Sequence, residues 1–338
     1  MAWDIGFAII GALIAAAALR DVFDTVAVPG GSRARLKIVR RLVRLSLPLW
    51  KRWRGGGKGV PIAFAPTALV LSFAVWMLLL ALGFGLVAYA LRRSFQPPLH
   101  SLADAIYLVG AAMTTIGRGD TTALGFARWI VLAAGFCGLA VVTLAITYLL
   151  EVQSGIGRRD TGIIKLSASA GDPPSAVRML EWFASVGDQG QLPGVLREAR
   201  NWCATVRQSH TNRPSLIYFQ SVAATNGWPA TLGTLIDLSL LFQLAIEDSN
   251  ARGAAILLGE EATRLAGDLA GIVGLTPMRG ETTVEDAQVA FARLTAAGYQ
   301  LAPHIDAERF CAARATAQAC VAAMAHHLGK PTTILVAR

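Results

Sequence analysis

Two long stretches of this sequence contain no charged residue: the 27 residues from Ala65 to Leu91 and the 22 from Trp129 to Leu150. Charge is scarce throughout, at 16% of 338 residues against 54% hydrophobic, which excludes an ordinary soluble protein. Acid is missing from Arg33 to Lys58, where ten cations fall without one Asp or Glu. The net charge of +9 belongs entirely to the first 152 residues, which hold 15 Lys and Arg against 6 Asp and Glu. The rest carries 16 of each. A basic block beside apolar runs points to the cytoplasmic membrane leaflet, and no nucleic-acid-binding motif is present. Cysteine is sparse as well. Cys137, Cys203, Cys311 and Cys320 form no Cys-x-x-Cys, so neither a zinc site nor a redox pair is signalled. His304, Cys311, Cys320, His326 and His327 are spaced too loosely for a metal centre. No Ser/His/Asp or Cys/His arrangement marks an enzyme, and His210 beside Ser209 stands alone. Gly83 to Ala88 fits a loose dinucleotide pattern but lies inside an apolar run, and the RGGGKG of Arg54 to Gly59 lacks phosphate-loop spacing. No cofactor is implied.

The two uncharged stretches are long enough to cross a hydrocarbon core as helices, which takes about 20 residues. An N-terminal segment is more equivocal. Ile5 to Leu19 supplies 15 apolar residues before Arg20, Asp21 and Asp24. With Asp4 and no cation at its start, it does not read as a signal peptide. Two readings stand: a short span from about Trp3 to Val28, with Arg20 and Asp24 pairing four residues apart, or an interfacial helix. In the basic block, Leu36, Val39, Val43, Leu47 and Trp50 recur at helical spacing, with Arg33, Lys37, Arg40, Arg41 and Arg44 on the opposite face. That fits a helix lying on anionic lipid; a solvated loop that only enforces topology is the alternative. The block's charge places residues 33–58 in the cytoplasm, the N-terminus and residues 91–127 outside, and everything after Glu151 inside.

Between the two spans, Pro97 and Pro98 break any helix, and Ser101 with Asp104 makes a capping box. The helix that follows, within 101–114, is about 18 Å long for about 12 residues, too short to cross and of a size for a re-entrant helix. It runs into Thr115-Ile116-Gly117-Arg118-Gly119-Asp120. This order resembles the two-transmembrane ion channel family of the potassium-channel superfamily: span 65–91, pore helix, filter 115–120, span 127–151. The hexapeptide is similar to that family's Thr-Val-Gly-Tyr-Gly-Asp filter. The resemblance implies that backbone carbonyls of Thr115, Ile116, Gly117 and Arg118 bind a permeant monovalent cation, potassium first, and that Thr114 closes the pore helix. One motif per chain implies a homotetramer. Gly135 and Gly138 would let the inner helix bend to gate, or simply pack closely; Thr143 and Thr147 would line the lower cavity. The fold class expected is an all-α membrane protein. It has a potassium-channel-like pore module (61–152), an additional N-terminal helix with the basic segment (1–60), and a helical cytoplasmic domain (153–338). A bacterial inner membrane, multi-pass, is the expected location, with lipid as a partner and the cytoplasmic partner unassigned.

Arg118 is the departure from the family, standing where an aromatic braces the filter. Two unpaired unit charges about 8 Å apart, at an effective dielectric of 20, repel by roughly 2 kcal/mol. Asp120, or second Asp104, is the expected partner. A paired Arg118 leaves a cation channel with altered selectivity, whereas one turned into the axis leaves a non-conducting scaffold. A filter that passes anions ranks below both, because Asp120 and the carbonyls oppose it.

Beyond Ser154 the pattern predicts helices at 175–186, 192–210, 214–225, 230–248, 252–273, 283–297 and 306–328. It also predicts short strands at 162–167 and 332–336. Leu232 to Ile246 reads as a buried core helix rather than a span, because it holds Asp237. SHTNRPSLIYFQS, Ser209 to Ser221, resembles a segment that recurs in cytoplasmic tails of bacterial ion-channel-family proteins.

Overall fold

A computed structural model describes residues 2–26, 63–117, 120–221, 227–279 and 282–336. The basic segment with Arg33, Lys37, Arg40, Arg41 and Arg44 lies outside the described residues, as do Arg118 and Gly119. The chain is an all-α membrane protein. Its described residues form two compact units, one up to Glu151 and one from Val152 onward.

The first unit holds α1 (Ala2–Val26), α2 (Phe64–Ala90) and α3 (Leu102–Met113), together with the start of α4 (Ala127–Ala170). Among the described residues, α1, α2 and α4 are long and apolar enough to cross a membrane. The N-terminal segment is therefore one continuous helix, with Arg20 and Asp24 3.8 Å apart at its end. α1 and α2 pack through small residues. A Cβ on Gly83 would sit 2.8 Å from both the Gly11 carbonyl oxygen and the Ala15 nitrogen. Close approach through small residues is how membrane helices gain packing without a hydrophobic drive. Polar links also join the pair. Trp76 Nε1 donates to the buried Asp21 carboxylate at 2.7 Å, and Arg92, just past α2, pairs with Asp4 at the start of α1. The Arg92 contact neutralises a cation at the end of α2 with an acid at the start of α1. A two-residue ladder, β1 (Phe95–Gln96) with β2 (Thr122–Ala123), ties the entry of the inter-span segment to its exit.

The second unit contains the rest of α4, then α5 (Ala176–Ser185), α6 (Leu192–Asn212), α7 (Gly227–Leu244) and α8 (Ser249–Val273). α9 (Val284–Ala296), α10 (Ala307–Ala317) and α11 (Ala319–Leu328) complete it. α7 is buried on all sides, as an apolar helix without an amphipathic face must be. Its one acid, Asp237, is met by a fork of Arg314, Nε at 2.7 Å and Nη2 at 2.8 Å, and by Gln318 Nε2 at 2.8 Å. α8 offers α6 and α7 a fully buried stripe, Ala255, Leu258, Ala262, Leu265 and Leu269, at three- and four-residue steps.

Four expectations are corrected. The strand expected at 162–167 is helical, because α4 runs on past 151 to Ala170 as a single 44-residue helix. Residues 332–336 form no strand. The helix expected at 214–225 is a single 3-10 segment, Pro214–Tyr218, within the described residues. The helix expected at 306–328 breaks at Gln318, whose side chain reaches across to the Gly233 carbonyl at 2.7 Å and to Asp237.

Candidate pore segment

The segment between the spans starts at a cap. Ser101 Oγ accepts from the Asp104 amide at 3.1 Å, and Asp104 Oδ2 accepts from the Ser101 amide at 3.0 Å. This reciprocal pair fixes where α3 begins. Two glycines hold α3 in place. A Cβ on Gly85 of α2 would lie 2.6 Å from the Ile106 side chain, and one on Gly138 of α4 would lie 2.5 Å from the Met113 carbonyl oxygen. Gly135 is a looser neighbour, 3.3 Å from the Ala112 carbonyl on the same measure. Both inner-helix glycines thus lie against the end of α3, and Gly138 makes a contact that admits no side chain.

At the end of α3 the chain folds back on it. Thr115 N donates to Ala112 O at 3.2 Å, and Ile116 N and Gly117 N both donate to Ala111 O, at 3.0 and 3.1 Å. Thr114 Oγ1 donates to Gly110 O at 2.9 Å. These bonds occupy carbonyls that a helix C-terminus otherwise leaves unpaired. They also orient the chain. In a trans peptide the C=O points opposite to the N–H. Three successive amides aimed at the end of α3 therefore turn the carbonyls of Thr114, Thr115 and Ile116 away from it, on one side of the backbone.

The backbone required for this is unusual. Thr115 has φ 59° and Gly117 φ 74°. Glycine adopts positive φ at little cost, but a β-branched residue there is an outlier, carrying about 1–3 kcal/mol of strain. Such strain accumulates where function needs a particular geometry. Thr115, Ile116, Gly117 and Asp120 are all exposed in the single chain, Ile116 at 77%. On the inner helix, Thr143 Oγ1 donates to Leu139 O at 2.9 Å and Thr147 Oγ1 to Thr143 O at 3.0 Å. With each hydrogen spent on the helix itself, the oxygen lone pairs remain available outward, on a face that is exposed in the single chain.

The contacts that set this geometry, Ala111 O with two amides and Met113 against Gly138, carry no sequence signal beyond small residues at helical spacing. Neither does the Asp21–Trp76 bond, although an acid in an apolar helix marks Asp21 as needing a partner. Among the described residues, no three His, Cys, Asp or Glu side chains are grouped to hold a metal ion.

A capped short helix, a folded-back turn and two flanking apolar helices are the parts of a pore loop. Residues 76–154 match a protein family described as Ion channel. The match opens at Trp76 in α2 and closes three residues past Glu151 in α4, so it takes in α3 and the whole turn. The chain is also similar to Protein LctB of Bacillus caldotenax, 30% identical over 84 residues, and to Protein LctB of Geobacillus stearothermophilus, 30% identical over 80 residues. Those regions are 21% and 23% of this chain. The chain spans 63% and 60% of the length of the two relatives. No solved structure matches.

Proposed function

We propose that this protein is a tetrameric cation channel that conducts potassium through backbone carbonyls of Thr115, Ile116, Gly117 and Arg118. The observation that carries the reading is the fold-back at α3, which turns the carbonyls of Thr114, Thr115 and Ile116 to one side and has Thr115 and Gly117 at positive φ. A ring of such strands, one from each copy about a closed axis, replaces an ion's hydration shell. The match of residues 76–154 to an ion channel family supports it. Arg118 in place of an aromatic loosens potassium selectivity, and the second unit sets the gate. The chain sits in a bacterial inner membrane with its C-terminal unit in the cytoplasm and lipid around α1, α2 and the first part of α4.

The test is a reversal potential in planar bilayers under opposed potassium and sodium gradients, for the parent and for Arg118→Tyr. The expected result is a cation-set potential in the parent that moves toward the potassium value in the variant. A potential set by chloride overturns the reading. A silent parent with a conducting Arg118→Tyr variant assigns the chain instead as a scaffold that its own Arg118 keeps closed, a second reading that rests on the same substitution.

A further inference from the structure

Away from the pore segment, a cavity of about 360 Å³ opens inside the second unit, between the continuation of α4 and helices α5, α6 and α7. Ligand pockets run from about 300 to 1,000 Å³, so this one suits a small guest. Its inner wall is apolar: Leu166 of α4, Met179 and Phe183 of α5 and Leu235 of α7 line it, and all four are buried. Trp202 of α6 forms a further wall, and its fit is tight. A Cβ on Gly162 would stand 2.0 Å from the indole Cδ1, so the ring can lie there only because residue 162 is glycine. The indole N–H is spent on the Arg159 carbonyl at 3.0 Å, so what Trp202 offers a guest is its ring.

The polar groups around the cavity narrow the guest. Of the four hydroxyls that line it among the described residues, three give their hydrogens to their own helices. Thr161 donates to Gly157 O at 2.8 Å, Ser169 to Leu166 O at 3.3 Å and Thr205 to Asn201 O at 2.9 Å. A sugar or a nucleotide, which needs many fixed donors, finds few here. Charge at the exposed rim is unequal. Lys165 Nζ and Glu198 Oε1 pair at 2.6 Å, each side chain 64% exposed. Arg158, also at the rim, pairs with no acid among the described residues, and its Nη1 donates to the neutral Ser154 hydroxyl at 2.7 Å. Two cations against one acid leave one positive charge at the mouth of an apolar cavity.

We infer that this cavity binds a small monocarboxylate with an apolar body. The body lies against Phe183, Leu235 and the Trp202 ring, and the carboxylate accepts from the Arg158 guanidinium, which has five N–H donors and spends one on Ser154. A hydrogen bond between two charged groups is roughly twice as strong as a neutral one, so the carboxylate displaces water there more readily than a hydroxyl does. An amine of the same shape would add a like charge to the rim. The site stands apart from the channel reading, since none of its residues belongs to the pore segment. Its occupant bridges the continuation of α4 to α5, α6 and α7.

The test is isothermal titration of the full-length protein in detergent with phenylacetate and with hexanoate, against blanks of the same detergent, at neutral pH and fixed salt. One acid binds per chain. The dissociation constant rises about tenfold in Arg158→Gln, and about tenfold when phenethyl alcohol replaces phenylacetate. Ala199→Trp, which fills the cavity from a half-buried position on α6, removes saturable binding. A thermal midpoint equal to the parent's without ligand shows each variant to be folded. Three results overturn the inference: no saturable heat with either acid, an alcohol that binds as tightly as the acid, or a dissociation constant that Arg158→Gln and Ala199→Trp both leave at the parent's value, which puts the acid elsewhere on the protein or in detergent.

Discussion

Asp21 is an acid buried between two apolar helices, and an indole of α2 donates to it. Its carboxylate is 1% exposed and accepts from Trp76 Nε1 at 2.7 Å. Removing the acceptor leaves the Trp76 N–H in a dry interface, and a buried donor without a partner costs about 1–3 kcal/mol. Asp21→Ala is therefore expected to lower the thermal midpoint in detergent, whereas Asp21→Asn, which keeps an oxygen at the same reach, stays close to the parent. Equal loss in both variants would mean that the charge itself, not the bond to Trp76, holds α1. The same balance explains Thr115 in reverse. Glycine would adopt φ 59° without strain, so a threonine there stands against a backbone penalty, and its carbonyl direction and hydroxyl are what the residue contributes in exchange.

At the scale of elements, the sequence is legible where length or a local cap decides, and illegible where a distant partner does. The long spans follow from uninterrupted apolar length. The start of α3 follows from Ser101 and Asp104, three residues apart. The buried α7 follows from a run too apolar for a surface and too short and acidic for a membrane. The extension of α4 is hidden because Gly162-Ile163-Ile164 reads as a strand. In the helix, Ile163, Leu166 and Ala170 share a buried face, and Gly162 leaves room for the Trp202 indole. The break at Gln318 comes from partners on α7, 81 and 85 residues away, which no local pattern announces. In the pore segment the letters Thr115 to Gly117 are readable, but the fold-back onto Ala111 and the closeness of Gly138 to Met113 are not, since both concern backbone atoms. Gly138 then serves as packing, and the consequence is testable. With the Met113 carbonyl oxygen 2.5 Å from where a Cβ would stand, Gly138→Val must push α4 or α3 aside. Overpacking of this kind costs about 1–3 kcal/mol and shifts backbone. The expected outcome in liposome flux assays is loss of cation flux, with the protein still recovered folded from detergent. Flux equal to the parent's would show that α3 is not held by this contact.

At the scale of the whole molecule, a single chain supplies one strand of carbonyls, and one strand cannot surround an ion. The single chain also leaves large side chains uncovered around the pore segment: Tyr107 at 63%, Phe126 at 67%, Trp129 at 66% and Phe136 at 73%. In the proposed assembly, lipid covers some of these and further copies of the chain cover those nearest the axis. Assembly is thus part of the proposed mechanism, and it predicts how a damaged copy behaves among intact ones. If four copies share one filter and one displaced α3 spoils it, an equal mixture of parent and Gly138→Val chains leaves only the all-parent assemblies active, roughly one sixteenth of the total. If each chain conducts on its own, half the flux survives, and if chains pair, about a quarter does. Flux from liposomes carrying chains co-expressed at equal levels separates these cases, and cross-linked mass in detergent gives the copy number independently. A residual near one half would remove the shared axis from the account. The role proposed for the carbonyls of Thr115 and Ile116 would go with it, because carbonyls that turn to one side do nothing for an ion unless other copies close the ring.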